Sequence, residues 1–173
     1  MAYQYKEHPS PTGHLIDGQL IPVPESVSAT ETVWFALPIE PDEAQVWEGL
    51  AAEATGARNR VKLRAVPLFA YDVNYGDEIS VVTSAEGPIV ATGITKDAGN
   101  YTFRVWMRED AGDAAVGDVV AQFGALGCLI EGYGDRLIGL SCSPENAQHV
   151  ADALDVAEQE GRSAYETGRQ RTS

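Results

Sequence analysis

Val66-Pro67-Leu68-Phe69-Ala70-Tyr71-Asp72-Val73-Asn74-Tyr75-Gly76-Asp77-Glu78-Ile79 is the stretch on which the reading of the fold turns. It is dense in apolar and aromatic side chains and ends in a Gly-Asp turn that feeds a new strand. Pro67 lacks a backbone donor and points to an edge strand or a bulge. Gly76 admits a positive φ, and Asp77 can bond the backbone just after it. These features suit a small barrel turning a corner and do not suit a catalytic loop.

Upstream, Arg60-Val61-Lys62-Leu63-Arg64-Ala65-Val66 alternates, with Val61, Leu63 and Ala65 on one face and the basic residues on the other. Thr32-Val33-Trp34-Phe35-Ala36-Leu37 is a strand stopped by Pro38. Between them lie the acidic loop Glu40-Pro41-Asp42-Glu43 and residues 46–54, whose alanines suit a helix and whose place before a sheet suits a strand. Downstream, residues 78–83 and 89–94 flank a turn at Glu86-Gly87-Pro88, and residues 101–107 alternate again. Barrel-like hairpins therefore fill about 46–98.

The period then changes. Val116, Val119, Val120, Phe123 and Leu126 fall at helical spacing before Gly127, a C-cap residue. Residues 128–133 and 136–142 form a hairpin about Gly134-Asp135, which sets Cys128 opposite Cys142; both are expected as free thiols. Ser143 and Pro144 open a second helix with a stripe of Ala147, Val150, Ala151, Leu154 and Ala157, ending at Gly161. From Tyr101 the order is β-α-β-β-α, a ferredoxin-like unit short of one strand, which residues 31–38 are expected to supply.

The expected fold class is thus α+β: small β-barrel-like antiparallel hairpins joined to a ferredoxin-like β-α-β-β-α unit. A single domain spans 31–166, with the barrel-like part at about 46–98 and the ferredoxin-like part at about 31–38 plus 99–161. Residues 1–30 form a partly irregular N-terminal arm punctuated by Pro9, Pro11, Pro22 and Pro24. Its Leu15-Ile16 and Leu20-Ile21 pairs flank Asp17-Gly18, which fits either a small hairpin or a loosely ordered tail. From Arg162 onward the chain carries Arg162, Arg169 and Arg171, and 167–173 is expected to fray.

Residues that carry chemistry are sparse. His8 and His14 sit in the arm, and His149 lies on the solvated face of the last helix, so no metal centre or other cofactor is expected. Gly139-Leu140-Ser141-Cys142-Ser143 departs from the nucleophile-elbow pattern at its last residue, and helix capping accounts for Ser143. No base stands near Cys142 in sequence. Asp72 and Asp77 read as turn formers rather than as an acid/base pair. Tyr71, Tyr75, Tyr101, Phe103 and Trp106 read as core.

Several ordered motifs resemble one family. They are Val33-Trp34-Phe35, residues 66–71, Tyr75-Gly76-Asp77, residues 99–105, Leu126-Gly127-Cys128 and residues 157–165. Together, over about Val33 to Tyr165, the chain resembles the bacterial domain of unknown function 4265. The resemblance implies a bacterial cytoplasmic origin and carries over no activity, cofactor or catalytic residue.

Asp and Glu number 26 against 12 Lys and Arg, a net charge of -14. Such a surface repels nucleic-acid phosphates and anionic lipid and favours basic partners. No stretch is long and apolar enough to span a membrane. The absence of a signal-peptide pattern and of CxxC points to a reducing cytoplasm. The expected function is a non-enzymatic, acidic protein-binding module, such as an immunity protein or antitoxin that neutralises a basic protein. Its docking side chains are expected to be Asp110, Asp113, Asp152 and Asp155, on a helical face where acidic clusters merge. The alternatives are a small-molecule binder or enzyme with its site between the barrel and the α/β unit, and a self-associating structural or regulatory module.

Overall fold

The alternating segments sort into two six-stranded sheets. The computed structural model describes residues 2–169. In chain order the strands of the arm are β1 (Gln4–Glu7), β2 (Gly13–Ile16) and β3 (Gln19–Pro22), followed by helix α1 (Pro24–Ser28). Next come β4 (Glu31–Ala36), β5 (Val46–Ala54), β6 (Arg60–Leu63), β7 (Glu78–Thr83) and β8 (Ile89–Lys96). The last part is β9 (Tyr101–Met107), α2 (Gly112–Ala125), β10 (Leu129–Tyr133), β11 (Leu137–Cys142), α3 (Pro144–Gln159) and β12 (Ser163–Thr167).

The first sheet runs β1-β5-β4-β8-β7-β6, and β5 also pairs with β6, closing five strands into a barrel. The length of β5 makes this closure work. Its first residues, Val46 to Gly49, hold β1 in parallel, and its last, Ala52 to Ala54, pair with β6. Val33, Leu50, Ala52, Val61, Leu63, Ile79 and Val81 fill the barrel. The barrel strands pair antiparallel except β4 and β8, which run parallel through Val33↔Ile89 and Trp34↔Val90. An odd number of alternating strands closed into a ring must contain one parallel pair, so the expectation of antiparallel hairpins throughout fails there.

The second sheet runs β12-β9-β11-β10-β2-β3, with every pair antiparallel. Phe103, Val105, Ile130, Ile138 and Leu140 bury one face under Val119 and Phe123 of α2 and Val150 and Leu154 of α3. Strand alternation turns Thr102, Arg104, Glu131 and Gly139 to the other face, toward the barrel. A Cβ on Gly139 would stand 2.6 Å from Leu68 Cδ2, so the central stretch lies directly against this face.

Three expectations need correction. Residues 31–38 do not complete the second sheet: β4 pairs with β5 and β8 inside the barrel. The strand beside β9 is β12, to which the sequence reading assigned no element; only its last residue, Thr167, falls in the 167–173 expected to fray. Of that tail, Arg171 lies outside the described residues. The stretch 64–77 forms no strand and is instead a buried loop between β6 and β7. Residues 46–54, left open between helix and strand by their sequence, are strand.

The arm takes the hairpin form. β2 and β3 pair about Asp17-Gly18, and Gly13 joins them to β10 at Ile130. Gly124, a weak point for α2 by propensity, is where Leu15 of the hairpin approaches within 2.7 Å of the place a Cβ would take.

Candidate functional site

A buried loop must find partners for its backbone polar groups. Residues 66–70 find them in side chains from both sheets. Strand alternation in β5 puts Glu48 on the face of Leu50 and Ala52, fully buried. Its carboxylate accepts the N–H groups of Leu68 at 2.7 Å, Phe69 at 3.1 Å and Ala70 at 2.7 Å. Glu131 of β10 accepts Val66 N–H at 2.7 Å and the Thr12 hydroxyl at 2.9 Å. Pro67, which has no N–H, occupies the one place in this run that receives no carboxylate.

His8 stands between these two acids. Nε2 is 2.7 Å from Glu48 Oε1, and Nδ1 is 2.7 Å from Glu131 Oε1. Its side chain is only 7% exposed. Burial alone would depress its pKa, but hydrogen bonds and charge from Glu131 and Glu48 outweigh burial and push it up to about 9. The ring is therefore an imidazolium at neutral pH, donating one N–H to each carboxylate. It clamps the barrel to the second sheet.

The carbonyls of the same loop meet Arg104 of β9, whose side chain is 1% exposed. Its guanidinium donates to Phe69 O at 3.3 Å, to Ala70 O and to Glu166 at 3.2 Å, and lies 4.6 Å from the Tyr71 ring centre. Tyr71 donates its hydroxyl to Glu166 at 3.3 Å. Asp77 is buried and accepts Asn74 N–H and Ala98 N–H, each at 2.9 Å, and Asp72 adopts φ 60°. Both act in turns.

Clefts open beside these clusters. One of about 360 Å³ is lined by His8, Ser26, Trp34, Arg64 and Glu131. Another, of about 690 Å³, is lined by Tyr71, Tyr165, Glu158, Glu166 and Arg169. Tyr165 donates its hydroxyl to Asp155; that bond, then burial, then the charges of Asp155, Glu158 and Asp152 push its pKa up to about 12.

All four of the aspartates expected to dock a partner are exposed. They fall into two pairs. Asp110 precedes α2, where Arg108 binds it at 3.1 Å and holds its carboxyl below the usual range, and Asp113 lies in the first turn. Asp152 and Asp155 lie on α3, near Tyr165. Asp110, Asp118 and Glu160 do share one cleft of about 360 Å³, with Arg108 and Arg162 between them.

His8, Glu48, Glu131 and Arg104 were not singled out by the sequence reading as parts of a site. A signal existed: Glu48 shares its strand face with Val46, Leu50 and Ala52, and an acid there has to be paired. Leaving residues 46–54 open between helix and strand hid that phase. His149 is exposed as expected. Cys128 and Cys142 are buried, free and opposite each other, and the hydrogen bond from Cys142, then burial, pushes the Cys128 thiol up. Ser143 takes the N-cap position of α3 without capping a first-turn N–H; its hydroxyl serves Glu145 instead.

Fold and site define a two-sheet α+β protein, a closed five-stranded barrel joined to a helix-covered sheet through a buried charged clamp. The chain belongs to the family described as Domain of unknown function (DUF4265), whose model matches residues 48–165. A hypothetical protein from Neisseria gonorrhoeae has a similar crystal structure, with a TM-score of 0.66 and 13% identity over 83% of this chain and 96% of that one. That likeness concerns the fold. Comparison with curated proteins finds no match. No helix among the described residues is long and apolar enough to cross a membrane.

Proposed function

We propose that this protein is a non-enzymatic binding module that docks a basic protein partner on its helical side, as an immunity protein or antitoxin does. The observation that carries the reading is the gathering of Asp152, Asp155 and Glu158 around Tyr165, which together with Glu158 lines the 690 Å³ cleft. Both helices pack on the same sheet face, so Asp110 and Asp113 add to the field on that side. With a net charge of -14, such a surface steers a basic protein into encounter. The setting that fits is the bacterial cytoplasm.

The order β9-α2-β10-β11-α3-β12, with strands arranged β12-β9-β11-β10, supports reading this half as ferredoxin-like, with β12 as its fourth strand. The alternative function is a small-molecule site between barrel and second sheet. The cleft beside His8 favours it, but both ring nitrogens of His8 are already engaged by carboxylates.

The test reverses Asp110, Asp113, Asp152 and Asp155 to Lys and follows association with a candidate basic partner across an ionic-strength series. The expected outcome is a slowing of tenfold or more at low salt that fades as salt rises. Equal rates at every salt concentration would leave the acidic surface as a solubility device.

A further inference from the structure

On the outer wall of the barrel, β1 brings Tyr5 and Glu7 beside Trp47 of β5 and Trp34 of β4. With Tyr3 and Glu86 they line a cleft of about 460 Å³. Tyr3 is 61% exposed and Tyr5 57%, so neither ring is held there by burial in the core. Tyr5 meets Trp34 edge-on, with ring centres 5.3 Å apart. The charged residues lining it among the described residues are both carboxylates, whereas the other large clefts carry an arginine.

We propose that this cleft is a binding site for an arginine side chain presented by an extended segment of a basic polypeptide. Aromatic faces attract a cation through the ring quadrupole, and Glu7 and Glu86 supply the counter-charge. The protein already uses this chemistry internally: Lys6 on the opposite face of β1 sits 4.5 Å from the Phe69 ring centre. The occupant is a polypeptide because β1 is the end strand of its sheet and, among the described residues, pairs only with β5. An extended chain added to that open edge would send alternate side chains over Tyr3 and Tyr5. This site lies on the barrel and does not rest on docking at the helical side.

The test titrates the full chain with acetyl-Gly-Arg-Gly-Arg-Gly-amide and with its citrulline counterpart, following the indole N–H signals of Trp34, Trp47 and Trp106 by NMR. Tetramethylammonium and maltotriose serve as further probes. The proposal expects the arginine peptide to shift Trp34 and Trp47 but not Trp106, which lies in the second sheet. Tyr5→Leu, or Glu7→Gln with Glu86→Gln, should weaken that binding about fivefold or more, and the glutamine pair should flatten its salt dependence. Trp34 is left intact because it packs over Gly49. The citrulline peptide binding equally well, maltotriose or tetramethylammonium shifting the indoles where the arginine peptide does not, or no shift with any probe, would each overturn it. The four aspartate reversals on the helical side should leave this titration unchanged, so failure of either proposal is visible separately.

Discussion

His8 has a charge the sequence alone does not reveal. Its pKa rises from the ordinary 6.5 to about 9 because two buried carboxylates hold its protonated form. A group with a raised folded pKa stabilises the fold fully below its unfolded value and loses that contribution as pH climbs through the folded one. The window here is pH 6.5 to about 9, and the contribution is on the order of 3 kcal/mol. Denaturant unfolding should therefore show stability declining across that window, and His8→Gln should remove the decline. That variant should also cost roughly 3–5 kcal/mol at neutral pH, because it leaves two buried carboxylates short of a cation. At the same scale, Cys128 and Cys142 should both react with alkylating agent in denaturant without reductant, as read by intact mass.

At the scale of elements, the periodic segments were legible and the pairings were not. The α3 stripe appears as read, with Val150 and Leu154 fully buried and His149 exposed. Leu154→Asp should accordingly cost several kcal/mol in thermal or denaturant unfolding, while His149→Ala should stay within about 0.5 kcal/mol. β4 was recognisable as a strand, but nothing in Val33-Trp34-Phe35 says which sheet it joins, because both sheets offer apolar faces. β12 was missed because a short strand with one large apolar residue, Tyr165, looks like a tail. β1 was missed because Gln4 to Glu7 lie on the barrel surface and expose most of their side chains. Its importance lies in backbone pairing with β5 and in delivering His8. Removing residues 1–8 should lower stability at least as much as His8→Gln, measured as the midpoint of thermal unfolding.

Across the whole molecule, the stretch 66–79 does organise the chain, for a reason visible only in three dimensions. Its N–H groups are held by Glu48 from the barrel and Glu131 from the second sheet, and its carbonyls by Arg104. These partners lie far apart in sequence, and local patterns cannot report such distances. The candidate docking surfaces, by contrast, rest on charge and exposure, and the acidic clusters were readable in the chain before the fold was known. The central claim is that a charged His8 joins barrel and second sheet. Following the His8 imidazole nitrogens by 15N NMR as pH rises tests it most directly. The account predicts a ring protonated on both nitrogens at neutral pH, titrating near 9 together with the loss of stability. A ring that titrates near 6.5, or is neutral at pH 7, would contradict it.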